Sequence, residues 1–261
     1  MPQSEFNITL VQMNVRLGRP AANLDRARKL LAGCPARRNE IILLPELWAS
    51  GYDFNHLAEQ AAATPGLLRE CAELAARRRA WIGGSLVEKA GKRFYNTFFL
   101  LSPAGKVLAA YRKLHLFSLM DEERWFSPGT EAVLTEIAGR KVGLLTCYDI
   151  RFPELARKLA LAGAELLLVC AQWPRPRTRH WTTLLKARAI ENQLFVAACN
   201  RIGPGPEHHY PGASAVYDPW GETRLKAPER QGAFSVDIDL ARLDEVRRTI
   251  PCFSDRRPDI Y

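Results

Sequence analysis

The chain has 261 residues, 47% of them hydrophobic and 25% charged, with a net charge of +9; this balance suits a globular protein with a sizeable core. No apolar run reaches the length of about 18 residues that a helical membrane span needs, so no membrane partner is expected. The positive charge is spread thinly, and its densest clusters, Arg77-Arg78-Arg79 and Arg175 to Arg179, are short and lie beside apolar residues or prolines. A nucleic-acid module would focus its charge on one face or tail, so no nucleic-acid partner is expected either.

Met1-Pro2-Gln3-Ser4-Glu5 leads directly into an apolar stretch with no secretory pattern, which makes the cytoplasm the expected location. Without such a signal the glycosylation sequon Asn7-Ile8-Thr9 carries no meaning. Phe6 to Gln12 reads as a first strand, Ala22 to Leu31 as a helix with apolar residues at helical spacing, and Ile41 to Leu44 as a short buried strand. A second helix is expected from Leu67 to Arg78, then strands near Trp81 to Leu86 and Tyr95 to Leu101. Ser102-Pro103-Ala104-Gly105 is a hairpin-type turn into a strand from Val107 to Tyr111. After a long loop, strands at Val133 to Ile137 and Val142 to Cys147 flank Gly139. A helix from Pro153, a strand Leu166 to Cys170, a helix Arg179 to Asn192 and a strand Leu194 to Asn200 follow. Shorter strands are expected at Ala215 to Tyr217, Thr223 to Lys226 and Phe234 to Ile238, then a helix from Leu240 to Arg248.

Alternating β and α segments indicate the α/β class. Helix-flanked strands mixed with hairpins suggest two sheets in the middle and helices outside. With no repeat, low-complexity tract or linker in view, one domain over residues 1–261 is expected.

Six cysteines, at 34, 71, 147, 170, 199 and 252, show neither a CxxC pair nor Cys/His metal spacing, and no metal is expected. Cys170 and Cys199 sit inside apolar runs as core thiols. His208 and His209 have no ligand-like spacing. Cys147 also follows an apolar run and could be one more buried thiol, but the polar turn Tyr148-Asp149-Ile150-Arg151 after it is something a core strand does not need.

Three segments place a reactive side chain at or near the end of a short apolar run. They are Leu43-Leu44-Pro45-Glu46, Tyr111-Arg112-Lys113 and Leu144-Leu145-Thr146-Cys147. Strand ends of this kind are where α/β sheets deliver catalytic groups. Glu46, Lys113 and Cys147 would together supply a general base, an oxyanion-stabilising cation and a nucleophile for a carbon–nitrogen bond. Pro153 suits the first position of a helix, so the Cys147 thiol is expected near a helix amino terminus, with a lowered pKa. The backbone N–H of Tyr148 is placed to donate to an oxyanion. Each residue alone also has an ordinary structural reading: a capping glutamate, a solvated lysine, a core thiol.

Jointly the three segments resemble the Glu–Lys–Cys signature of the nitrilase, or carbon–nitrogen hydrolase, superfamily. The similarity extends through Phe126-Ser127-Pro128-Gly129, Ala187-Arg188-Ala189-Ile190-Glu191-Asn192, Gly212-Ala213-Ser214 and Asp218-Pro219-Trp220-Gly221-Glu222. The resemblance implies an αββα sandwich of the carbon–nitrogen hydrolase type and hydrolysis through a cysteine thioester without metal or organic cofactor. It implies Glu46 as base, Lys113 as oxyanion cation and Cys147 as nucleophile. It further implies a second glutamate after the lysine, at Glu122 or, with the register uncertain by one, at Glu123; a solvated acidic loop is the alternative. Members of the family generally form homodimers or higher homo-oligomers through helices near the nucleophile.

Cys147-Tyr148-Asp149-Ile150-Arg151-Phe152-Pro153-Glu154 and the tail Ile250-Pro251-Cys252-Phe253 to Tyr261 resemble the omega-amidase branch. That branch cleaves the terminal amide of 2-oxoglutaramate or 2-oxosuccinamate to the 2-oxo acid and ammonia. Pro45 to Asp53 resembles bacterial members linked to methionine salvage. Such a small-molecule substrate needs a cation for its distal carboxylate. Arg151 is the first candidate, unless it pairs with Asp149 or Glu154 to hold the turn. Trp48, His115, Tyr148 and Trp173 are candidates to line the pocket, with core packing or, for His115, a structural hydrogen bond as the alternative. Other specificities on the same triad stay open, such as a deaminated-glutathione amidase, a carbamoylase or a nitrilase. A non-enzymatic interaction module stays open as well.

Overall fold

The computed structural model describes residues 3–260. Its first half opens with strand β1 (Glu5–Gln12), helix α1 (Pro20–Ala32), β2 (Glu40–Leu43) and α2 (Leu57–Arg78). Strands β3 (Trp81–Ala90), β4 (Arg93–Leu101) and β5 (Val107–Arg112) complete that half. The second half holds β6 (Leu134–Ile137), β7 (Arg140–Thr146), α3 (Pro153–Leu161), β8 (Leu166–Ala171), α4 (Thr178–Glu191) and β9 (Phe195–Asn200). A short ribbon of β10 (Ile202–Pro204) and β11 (His209–Pro211) precedes β12 (Ala215–Tyr217), β13 (Thr223–Lys226), β14 (Gly232–Asp239) and α5 (Arg242–Thr249).

The strands form two six-stranded mixed sheets, in the orders β14-β1-β2-β3-β4-β5 and β13-β12-β9-β8-β7-β6. In each, three parallel strands sit at the centre, β1-β2-β3 and β7-β8-β9, with antiparallel partners at the margins. Both faces of the central strands are covered, which is why β2, β8 and β9 read as near-continuous apolar runs without alternation. Successive side chains point to opposite faces. Leu166, Leu168 and Cys170 therefore pack inward, with Ile8, Leu10, Leu43 and Phe98 of the other sheet. Leu167 and Val169 pack outward with Leu155 and Leu159 of α3 and Trp181 and Leu185 of α4. On the far side Ile42 and Ile82 meet Leu24 and Leu31 of α1 and Leu67, Cys71 and Ala75 of α2. The result is an αββα sandwich. No helix among the described residues is long and apolar enough to cross a membrane.

Two elements depart from the expectations. Helix α2 starts at Leu57 rather than Leu67, running through Pro65. Proline there removes one helical hydrogen bond, but tertiary contacts override the break: Leu57 and Ala61 pack with Leu47, Val87 and Phe126, and Thr64 Oγ1 donates to the Val87 carbonyl at 2.6 Å. The β10–β11 ribbon, from Ile202 to Pro211, has three-residue strands too short and too rich in glycine and proline to show a period.

The segment after β5 is fixed by close backbone approach. Gly129 donates its N–H to the Lys113 carbonyl at 2.9 Å, and a Cβ at Gly129 would lie 2.2 Å from the Arg112 carbonyl oxygen. Gly129→Ala is therefore expected to destabilise the fold by about 2 kcal/mol, read as a lower midpoint in thermal or denaturant unfolding. An unchanged midpoint would show that the strand end can yield freely.

Candidate active site

Glu46 follows β2, Lys113 follows β5 and Cys147 follows β7, so loops leaving both sheets at one end bring the three together. Lys113 is 1% exposed and Glu46 and Glu122 are fully buried. The Lys113 Nζ donates to Glu46 Oε1 at 3.0 Å, to Glu122 Oε2 at 2.7 Å and Oε1 at 3.0 Å, and to the Tyr52 hydroxyl at 3.2 Å. Burial alone would lower the lysine's pKa. The charges of Glu122 and Glu46 outweigh it and hold Lys113 protonated well above its ordinary range.

Glu46 accepts from four donors. Its Oε1 accepts from Tyr52 Oη at 2.5 Å and Asn96 Nδ2 at 2.8 Å as well as from Lys113, and its Oε2 accepts the Gln172 backbone N–H at 2.9 Å. Glu122 accepts the Phe117 N–H at 2.7 Å. Its pKa is raised by burial against the pull of Lys113, with Glu46 adding to the rise. Neighbouring Glu123 is exposed, so Glu122 is the one of the two that meets Lys113, and its side chain is not solvated.

Cys147 is 9% exposed and has a φ of +46°, a left-handed backbone that few non-glycine residues adopt. The polar turn expected between Cys147 and the helix start at Pro153 is a 3-10 turn, Cys147–Arg151, with Thr146 as its cap and Asp149 completing a capping box. The expected fall in thiol pKa is corrected. Burial pushes Cys147 well above the ordinary thiol range, Glu46 adds to the rise, and Lys113 and the Gln172 N–H oppose it. The Tyr148 N–H lies in the first turn of that 3-10 segment, where helical acceptors are lacking.

Asp149, fully buried, ties the Cys147 turn to the lysine segment. Its oxygens accept from Tyr111 Oη at 2.7 Å, the Thr146 N–H at 2.9 Å and the His115 N–H at 3.0 Å, and His115 Nδ1 lies 2.8 Å away. These partners account for Asp149, so Arg151 does not use it to hold the turn, nor does Arg151 form an ion pair with Glu154 among the described residues.

A narrow cleft opens onto Cys147 and Lys113. It is lined by Tyr52, Phe117, Met120, Tyr148, Gln172, Trp173 and Tyr210, and by the cationic side chains of Arg151 and Arg177. Arg151, Tyr148 and Trp173 thus reach the cleft as the sequence suggested. Trp48 does not: it is 1% exposed and packs in the core beneath α1 and α2. His115 does not line the cleft either; it stacks on Phe152 with ring centroids 3.7 Å apart while hydrogen-bonded to Asp149. Sequence reasoning did not single out Tyr52, Asn96, Gln172, Arg177 or Tyr210. Of these, Gln172 had a usable signal, since it directly follows the apolar run of β8. A wider surface cleft, lined by Phe6, Arg38, Phe195, Arg224 and Asp237, holds none of the reactive residues. Among the described residues no three His, Cys, Asp or Glu side chains cluster as a metal site.

The sequence pattern of the Carbon-nitrogen hydrolase family matches residues 7–248. The chain belongs to the carbon–nitrogen hydrolase family. The hydrolase is 38% identical to the 2-oxoglutaramate amidase of Bacillus subtilis (strain 168), over 98% of this chain and 100% of that one. It is 36% identical to the omega-amidase YafV of Escherichia coli (strain B / BL21-DE3), over 96% of each chain. Its fold matches that of XC1258 from Xanthomonas campestris, a CN-hydrolase superfamily protein with an arsenic adduct in its active site. The TM-score is 0.90, at 32% identity over 98% of both chains.

A raised thiol pKa keeps the proton on sulfur at all pH values below the shifted value. The thiolate absorbance of the hydrolase minus that of Cys147→Ala is therefore expected to be absent at pH 7 and to grow in only above the ordinary thiol range of about 8.5. A difference signal already present at neutral pH would mean a resting thiolate–ammonium pair.

Proposed function

We propose that the hydrolase is an omega-amidase, converting 2-oxoglutaramate or 2-oxosuccinamate to the 2-oxo dicarboxylate and ammonia through a thioester on Cys147. The observation that carries this reading is the convergence of Glu46, Lys113 and Cys147 in one buried cluster beside a cleft lined by Arg151 and Arg177. The omega-amidase and 2-oxoglutaramate amidase names of the similar proteins support it.

In the proposed mechanism the Glu46 carboxylate takes the thiol proton as sulfur attacks the amide carbon. The carbonyl oxygen becomes an oxyanion, stabilised by Lys113 Nζ and the Tyr148 N–H. Glu46 returns the proton to the departing nitrogen, the C–N bond breaks and ammonia leaves the thioester behind. Water then enters, gives a proton to Glu46 and attacks the thioester carbon. The sulfur departs and is reprotonated, and the free acid is released. Glu122 orients Lys113 in this scheme, Arg151 reads the distal carboxylate, and Trp173 forms the wall beneath it.

We also propose a cytoplasmic homodimer or higher homo-oligomer. All six cysteines are free, which suits a reducing compartment. Leu161 of α3 and Ile190 of α4, 46% and 47% exposed, present apolar surface on the outer helices near the nucleophile.

The test is ammonia release from 2-oxoglutaramate, from butyramide as a neutral amide, and from a nitrile panel, with Cys147→Ala as blank. The expected kcat/KM for 2-oxoglutaramate exceeds that for butyramide on the order of 100-fold. Equal rates for the two amides would remove the omega-amidase reading, and a better nitrile would move the hydrolase to another branch. Ammonia release by Cys147→Ala close to the wild-type rate would remove the thioester scheme.

A further inference from the structure

Arg175 pairs with Glu229, Arg112 with Glu88 and Arg188 with Glu191. Arg151 and Arg177 are both half-buried, both line the cleft next to Cys147, and among the described residues neither has an ion-pair partner. A guanidinium partly removed from water without an anion is a standing electrostatic demand, and here two such demands face the same space.

Their mounting is specific. The guanidinium carbon of Arg151 lies 4.6 Å from the ring centre of Trp173, and its Nη2 is 3.4 Å from His180 Nδ1 of α4. The guanidinium carbon of Arg177 lies 5.3 Å from the ring centre of Phe117. Trp173 Nε1 donates to the Arg177 carbonyl at 2.7 Å, so the ring that carries one guanidinium also fixes the backbone of the other. The two arginines come from the loops that leave adjacent parallel strands, β7 and β8, whose ends stand side by side with Thr146 opposite Cys170.

We propose that Arg177 acts with Arg151 as a two-guanidinium subsite for the 2-oxo acid head of the substrate, which makes Arg177 a specificity-determining residue. In 2-oxoglutaramate the carboxylate lies four bonds from the scissile carbonyl carbon, with the 2-oxo oxygen beside it. One fork takes the carboxylate oxygens in parallel, and the other takes the remaining lone pairs and the adjoining oxo group. The aromatic walls, Trp173 and Phe117, keep both guanidiniums in register and exclude water, which strengthens the charge-assisted bonds. A neutral amide can reach Cys147 but leaves both cations without a counter-charge. This inference rests on the omega-amidase reading.

The experiment compares kcat and KM for 2-oxoglutaramate, for glutaric acid monoamide (which lacks the 2-oxo group) and for butyramide, in wild type, Arg177→Gln and Arg177→Lys. Arg177→Gln is expected to lower kcat/KM for 2-oxoglutaramate on the order of 30-fold, chiefly through KM, to lower that for the monoamide less, and to affect butyramide least. Arg177→Lys should recover part of the loss. The inhibition constant of 2-oxoglutarate, the product, should rise in parallel, while the melting temperature stays unchanged. A wild-type preference for 2-oxoglutaramate that survives intact in Arg177→Gln would overturn the assignment of Arg177 and leave the omega-amidase reading standing. An equal fall for all three amides would overturn it too, and would make Arg177 a residue that holds the loop. A wild type with no preference for 2-oxoglutaramate over butyramide would overturn both.

Discussion

The buried ammonium of Lys113 is the constraint around which the site is organised. Taking such an ion out of water costs several kcal/mol, and the structure offsets this by giving it Glu46, Glu122 and the Tyr52 hydroxyl as acceptors. Two carboxylates around one ammonium leave the cluster with an excess negative charge. That charge is felt by every neighbour. It helps burial to raise the Tyr52 hydroxyl and the Cys147 thiol, and Glu46 contributes to the rise at Glu122. A thiol in such a field does not ionise by releasing its proton to solvent. Transfer to Glu46 moves charge within the cluster without adding any, so in the proposed scheme the nucleophile forms only as the substrate is attacked.

Holding these groups in place strains the backbone. Leu47, Asp121 and Cys147 all have left-handed φ values, of 41°, 49° and 46°, and each is one of the reactive residues or adjoins one. Such conformations cost about 1–2 kcal/mol apiece for non-glycine residues and persist only where surrounding bonds over-determine them. Ser85 Oγ accepts the Leu47 N–H at 2.7 Å. Asp149 binds both the Cys147 turn and the segment after Lys113. Gln172 spans the two sheets, its N–H on Glu46 Oε2 and its side-chain amide on the Glu46 carbonyl at 2.8 Å. Arg201, 2% exposed, donates in turn to Gln172 Oε1 at 3.0 Å; burial lowers its pKa to about 10.

The parts of this arrangement that were legible in the sequence are those with a local signature. The central strands were visible as apolar runs because both faces of each sheet are covered, and the reactive residues stood out by following those runs. What escaped depends on distant partners. Pro65-Gly66 reads as a helix break, and only contacts with Val87 and Phe126 carry α2 through it. The thiol pKa was expected to follow the helix start at Pro153; burial, with Glu46 adding to it, decides its direction. Trp48 and His115 adjoin site motifs in sequence, yet Trp48 packs beneath the helices and His115 is committed to Asp149 and Phe152. Arg177 lay in a basic cluster indistinguishable by composition from a solvated one, and only its place in the cleft beside Cys147 sets it apart.

In the proposed scheme Glu46 delivers Cys147 as a nucleophile from a resting thiol. Acid-quenched mixing with 2-oxoglutaramate, followed by mass spectrometry of the intact chain and of the peptide bearing Cys147, tests this most directly. An acyl increment is expected on that peptide in the wild type within the first turnover, and none in Glu46→Gln on the same time scale. An increment on any other residue, or acylation of Glu46→Gln at the wild-type rate, would contradict it.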